Sequence, residues 1–171
     1  MLSSKMQEAL NAQINAEYYS SYLYLSMSAY ADTLGLKGFA NWFRVQAQEE
    51  NFHTMKFYTY INDRRGTVQL TAIDGPPTTW ESPVALFEAA LKHEQMVTDR
   101  INKLADLAVA EHDHATHTLL EWFISEQVEE ESVADNIVHQ LKLMKGSGDG
   151  LYLLDRELGS RVYTAPAAAA T

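Results

Sequence analysis

The chain contains no cysteine. That excludes a disulfide framework, a zinc ribbon and a thiolate-held iron–sulfur cluster. Basic residues are scarce, with 13 Lys and Arg against 23 Asp and Glu and a formal net charge of −10. Nucleic-acid phosphates and anionic membranes are therefore poor partners, and cations are better ones. No stretch approaches the apolar length of a membrane span, and the first six residues lack the apolar run of a secretory signal. The cytoplasm is the expected location. Hydrophobic content of 46% and charged content of 21% are ordinary for a globular chain, and residues 1–171 suffice for one domain with a substantial core.

Helix breakers are missing from long stretches. Between Lys5 and Leu34 there is neither proline nor glycine, and Ser4 with Gln7 reads as a capping box opening a first helix that Gly35 stops. A second helix is predicted from about Leu36 to Arg65, ending at Gly66. Residues 67–81 then read as an extended connection with a Pro76-Pro77 turn. A helix of about 28 residues spans roughly 42 Å. About 15 extended residues reach roughly 50 Å, so this connection can return along the whole bundle and make the second and third helices parallel. Ser82-Pro83 opens the third helix, a His112-Asp113 corner leads into the fourth, and Gly146 stops it near Lys145. The predicted fold is all-α: a four-helix bundle over about 4–145, with a long crossover between the second and third helices. A short C-terminal fifth helix follows over about 149–159, then a tail over 160–171 that is loosely held after Pro166. The fifth helix is expected to contribute little to the monomer's core and to pack on symmetry mates instead.

Each long helix carries one glutamate on an otherwise core-like stripe. The first stripe is Met6, Leu10, Gln13, Glu17, Ser20, Tyr24, Met27 and Ala31; the second is Phe39, Phe43, Gln46, Glu50, His53, Phe57 and Tyr60. The third is Phe87, Leu91, Glu94, Val97, Ile101, Leu104 and Ala108; the fourth is Thr116, Leu120, Phe123, Gln127, Glu130, Ala134, Ile137 and Leu141. All four glutamates sit near mid-helix, so they converge at one depth whichever way the helices run. Four carboxylates in an apolar interior repel and lose hydration, and these stripes contain no lysine or arginine to compensate. Two divalent cations supply the four matching charges, with His53 as a neutral nitrogen ligand. Mixed carboxylate and imidazole ligation suits Fe, Mn or Zn rather than Ca or Mg. One glutamate from each of two helices plus Glu-x-x-His from the others is the di-iron carboxylate arrangement. Only Glu50 to His53 makes a complete Glu-x-x-His; Gln127 and Glu130 stand where the second would fall. The second metal position is thus poor in imidazole, which suits iron in transit rather than iron held permanently.

At these residues the chain closely resembles the non-haem ferritins of bacteria and archaea, over nearly its whole length. Local phrases such as Asn15-Ala16-Glu17-Tyr18-Tyr19-Ser20 and Glu126-Gln127-Val128-Glu129-Glu130-Glu131 carry the likeness, with the helix order, crossover and fifth helix. The resemblance implies a ferroxidase centre in which Glu17, Glu50 and His53 hold one iron, Glu50 bridges, and Glu94 and Glu130 hold the other. Gln127 would lie beside the second iron, and Tyr24 next to the centre, able to donate an electron or a hydrogen bond, with Trp122 acting alongside. From spacing alone Glu49, Glu126 and Glu129 read as an acidic, solvent-facing run. The resemblance makes them a third iron position sharing Glu130. It also places His117 and Glu121, near His112 and His114, along a pore. Bacterioferritins carry a haem-binding methionine near this motif; Asn51 and Phe52 stand here, so haem is not expected.

The implied activity is iron storage: Fe(II) and O2 meet at the paired site, each Fe(II) gives up one electron, and ferric oxyhydroxide collects inside a homo-oligomeric shell of twenty-four subunits. A di-iron oxygenase or peroxidase of the rubrerythrin type would want a second Glu-x-x-His and a cysteine-bound electron-transfer domain. A hemerythrin-like O2 carrier would need more buried histidines, and a purely structural shell subunit would be expected to lack the inward acids.

Overall fold

A computed structural model describes residues 2–164. Its helices are α1 (Ser4–Thr33), α2 (Lys37–Asp63), α3 (Pro83–Ala110), α4 (His114–Met144) and α5 (Gly148–Leu158), with no strand among the described residues. The tail after Pro166 lies outside them.

The helix ends follow local chemistry, with two shifts of one residue. Ser3, not Ser4, caps α1: its extended backbone stands outside the helix, and its Oγ accepts the Met6 N–H at 3.0 Å. Two adjacent serines carry the same hydroxyl, so sequence could not separate them. At the end of α2 it is Arg65, not Gly66, that takes positive φ (59°). Space at Gly66 is tight instead, because a Cβ there would come within 2.9 Å of Gln7 Oε1 and 3.2 Å of the Ile61 carbonyl oxygen. Gly35 (φ 77°) ends α1 as expected. Ser82 caps α3 ahead of its proline, and Asp113 caps α4 through the Thr116 N–H.

Helix directions can be read from side-chain pairs. Ser21 meets Ala47 and Ser28 meets Ala40, so α1 and α2 are antiparallel. Arg100 meets Ala12 while Ser20 meets His93, so α1 and α3 are antiparallel too. Hence α2 and α3 are parallel, and the crossover makes this possible by running along α1. Asn11 donates to the Thr67 carbonyl, Asn15 to the Ala72 carbonyl, Ser26 to the Pro77 carbonyl and Tyr30 to the Trp80 carbonyl, in rising order. Backbone approaches join α1 to α2, α3 to α4 and α1 to α3. Across the remaining α2/α4 seam the gap is filled by aromatic side chains, with Phe57 stacked on Phe123 at 4.1 Å between ring centres.

Every residue of the four stripes is buried except Leu91 and Tyr60, which are half-buried. The apolar side chains fall into two clusters. One gathers Tyr24, Met27, Phe39, Phe43, Phe87 and Leu141; the other gathers Leu10, Ile14, Phe57, Ile61, Ile101 and Phe123. The layer between them contains the four glutamates.

The fifth helix departs from expectation. Leu154 and Leu158 are buried in the subunit's own core cluster. The Asp155 carboxylate accepts the Phe39 N–H at 3.0 Å, near an α2 start that has no side-chain cap from Leu36. α5 comes this close because Gly38 has no side chain: a Cβ there would lie 1.5 Å from the Asp155 carbonyl oxygen. Tyr152 and Leu153 remain exposed on its other side. Gly38→Ala should therefore push α5 off α2 and cost about 1–3 kcal/mol by overpacking. A lowered unfolding midpoint with faster hydrogen exchange across 148–158 checks this; unchanged values in both would show that α5 docks without the close approach.

Candidate metal centre

The four glutamates are nearly solvent-free, at 1% (Glu17), 2% (Glu50), 2% (Glu94) and 6% (Glu130) exposure. Among the described residues no lysine or arginine nitrogen comes within 4 Å of any of them. Glu17, Glu50 and His53 each offer a ligand atom, all within 4.8 Å of one another. His53 Nδ1 lies 3.3 Å from Glu50 Oε2, and the Glu17 and Glu50 carboxyls stand beside each other. Glu17 Oε2 is a buried oxygen with no hydrogen-bond partner. Such an atom is costly unless something positive meets it.

Glu94 and Glu130 face this group from α3 and α4 but do not close into the same three-residue cluster. Both are held by neighbours. Tyr24, fully buried, donates its hydroxyl to Glu94 Oε1, and Gln127 donates to Glu94 Oε2 at 3.1 Å as well as towards Thr98 Oγ1 at 3.3 Å. Gln46 donates to Glu130 Oε2 at 2.5 Å. Glu49 and Glu126 are half-buried and Glu129 is exposed. Each lies within electrostatic reach of the others, although their oxygens form no ligand cluster among the described residues. Trp122 sits edge-on to His53 at 5.4 Å, and Lys56 lies over the Trp122 ring at 4.0 Å. His117 and Glu121 pair on the exposed surface of α4 at 3.7 Å.

Charge sets the chemistry of this layer. Burial, with the Glu94 charge adding to it, raises the Glu17 carboxyl to about 7; Gln13 partly offsets the rise. Burial and then Glu94 raise Glu130 to about 8. Glu50 and Glu94 are raised mainly by burial. Burial lowers His53 to about 4, so its imidazole is neutral near pH 7 and keeps a lone pair for a metal. The acids hold protons that a cation would displace.

Five groups around the acids were given no role by the stripe pattern: Gln13 and Gln46, which lie on the stripes, and Arg100, Arg161 and His93, which lie off them. Gln13 donates to Glu17 Oε1 at 2.8 Å and accepts from Arg100 Nε at 3.2 Å. Gln46, four residues before Glu50 as Gln13 is before Glu17, links Glu130 to Arg161. Both glutamines are visible on the stripes, and their shared spacing is the signal; Arg100 and Arg161 lie off them and gave none. His93, buried beside Glu94, shares a hydrogen bond with Ser20 Oγ at 2.8 Å and meets the Tyr24 ring edge-on at 5.9 Å.

Residues 7–144 match the family described as Ferritin-like domain. The chain belongs to the ferritin family. A bacterial non-heme ferritin of Staphylococcus aureus is 41% identical over 163 residues, covering 95% of this chain and 98% of that protein. One from Bacteroides fragilis is 43% identical over 161 residues, covering 94% and 100%. Among solved structures, a closed form engineered from the Archaeoglobus fulgidus ferritin superposes with a TM-score of 0.95 at 51% identity, covering 96% of this chain and all of that one. The open-pore ferritin of the same archaeon gives 0.94 at 51% identity, with 95% and 100% coverage. Membership makes this chain an iron-storage ferritin of the non-haem kind, on an all-α bundle with a short fifth helix.

A pH consequence follows from the raised carboxyls. Glu17 and Glu130 bind protons more tightly in the folded chain than at the ordinary value of 4.5. Their contribution to stability is therefore fully present below about pH 4.5 and is lost as pH rises through about 7 to 8. Protein stripped of metal should show an unfolding midpoint that falls as pH rises from about 4.5 to about 8, and excess Zn(II) should remove the fall. A profile that is flat without metal would mean that the acids have another counter-charge.

Proposed function

We propose that this ferritin subunit oxidises Fe(II) with O2 at a paired metal centre and passes the ferric product to a mineral core. The observation that carries this is the cluster of Glu17, Glu50 and neutral His53, buried without a basic partner and with an orphaned oxygen at Glu17. Iron is here the substrate. Glu17, Glu50 and His53 bind the first Fe(II), Glu50 bridges, and Glu94 and Glu130 bind the second. Each Fe(II) gives up one electron and O2 takes the pair. The chain's own part is to supply anionic oxygens, one nitrogen and a dry, fixed spacing.

Tyr24 and Gln127 orient Glu94 by holding one oxygen each. In this reading the buried phenol also gives an electron or a hydrogen bond towards the centre. The second position has no imidazole, so its iron is held by hard oxygen ligands alone and moves on. Glu49, Glu126 and Glu129, sharing Glu130, form a third iron position. The subunits assemble as a homo-oligomeric shell of twenty-four in the cytoplasm, with ferric oxyhydroxide inside and no haem. No helix among the described residues is long and apolar enough to cross a membrane.

The test is stopped-flow absorbance on assembled protein given Fe(II) in air. Rapid oxidation with many iron atoms retained per chain is the expected result; a fixed pair per chain would instead support an oxygenase. Glu50→Ala, which removes the shared ligand, should slow oxidation by at least about tenfold. An unchanged rate would undo the assignment. Tyr24→Phe should leave iron binding in place but slow the oxidation step, read as an altered rate at saturating Fe(II).

A further inference from the structure

Arg161 follows α5, in a stretch with no regular structure, yet its side chain reaches the edge of the metal layer. Its Nη2 donates to Glu49 Oε2 at 2.5 Å, and its Nη1 donates to Gln46 Oε1 at 2.6 Å. Gln46 is fully buried and passes the contact on to Glu130 Oε2. One guanidinium thus holds Glu49 directly and Glu130 through a single amide. The planar fork suits this double task, which a lysine ammonium could not perform in the same geometry. The guanidinium also lies over the Trp42 ring at 4.8 Å, and Asn41 holds the Arg161 carbonyl at 2.8 Å.

The opposite end of the layer has a matching device: Arg100, Gln13 and Glu17 form the same arginine–glutamine–glutamate chain. The difference between them is in the backbone. Arg100 is part of α3 and cannot leave without unwinding it. Arg161 is tied by its side chain, by Asn41 and by a 3.3 Å backbone bond to the Leu158 carbonyl, so it can be displaced.

We propose that Arg161 is a tethered counter-ion that competes with metal for Glu49, so that its guanidinium decides whether a third cation is held beside the paired site. The guanidinium already occupies Glu49 Oε2, so a cation arriving at that oxygen must displace it or sit against a like charge. Glu126 and Glu129 stand near enough to Glu49 to bias its charge and would side with the metal. A cation arriving there expels the guanidinium and frees residues 160–164 from α2. This inference rests on the metal-centre reading above.

The experiment uses full-length assembled protein, stripped of metal and titrated with Zn(II) by calorimetry, with hydrogen exchange followed at each equivalent. Wild type should bind two equivalents tightly and a third weakly, and exchange across 158–164 should quicken only at the third. Arg161→Gln should tighten the third step by about tenfold and leave the first two unchanged. In that variant the segment should exchange fast at every Zn(II) level. Arg161→Lys, which keeps the charge, should leave the third step weak; tightening to the Gln level would show that the fork and not the charge is the competitor, and would overturn the counter-ion. A third step unaltered in Arg161→Gln, or exchange that responds to the first two equivalents, would also overturn it. Failure of wild type to bind any Zn(II) would sink the metal-centre reading itself, whereas two tight steps with an unresponsive segment defeat only the role of Arg161.

Discussion

The constraint on which the rest of the structure depends is that four carboxyls are buried at one level of an apolar bundle with no cation of the chain in contact. Loss of hydration alone would cost several kcal/mol per ionised group. The fold meets the problem in three ways. Part of the charge is neutralised by protons, as the raised Glu17 and Glu130 carboxyls show. Part is distributed through amides and a phenol, since Gln13, Gln46, Gln127 and Tyr24 each donate to one carboxylate oxygen. The remainder falls on Glu17 Oε2, which no donor meets; in the proposed reading a metal ion meets it. An interior designed only for stability would have filled this level with leucine and phenylalanine, as it does above and below.

The two flanking clusters explain why this layer keeps its shape. Aromatic rings close it on either side, with Phe43 against Phe87 at 4.7 Å on one and Phe57 against Phe123 on the other. Close packing of this kind resists compression, so the carboxylates cannot relax away from one another by collapsing the backbone. Towards the four mid-level acids Arg100 and Arg161 approach only as far as the glutamines, although Arg161 also holds Glu49 directly. They moderate the field at Glu17 and Glu130 without neutralising either acid outright.

Helices, their mid-level acids and the crossover were legible because helical periodicity records which side of a helix is buried, and a metal ligand breaks that record visibly. A glutamate between Gln46 and Phe57 on an apolar stripe needs an explanation wherever the rest of the chain lies. What the pattern could not carry was contact between distant segments. Arg161 belongs to no stripe, and a long arginine stem lets a charge act far from its Cα. The docking of α5 was hidden for the same reason: it depends on Gly38, a residue whose importance is the absence of a side chain. The Ser3 and Arg65 shifts are of another kind, because neighbouring residues there satisfy the same local rule.

The crossover laid along α1 divides the chain into two helical hairpins, α1 with α2 and α3 with α4. Each hairpin carries two of the four acids, Glu17 and Glu50 on the first, Glu94 and Glu130 on the second. Neither half alone concentrates the full charge, so each can form from contacts local in sequence. The repulsion is felt in full only where the halves face each other, so the four acids lie on the seam between them. A cation held by acids of both halves would act there as mortar between two walls.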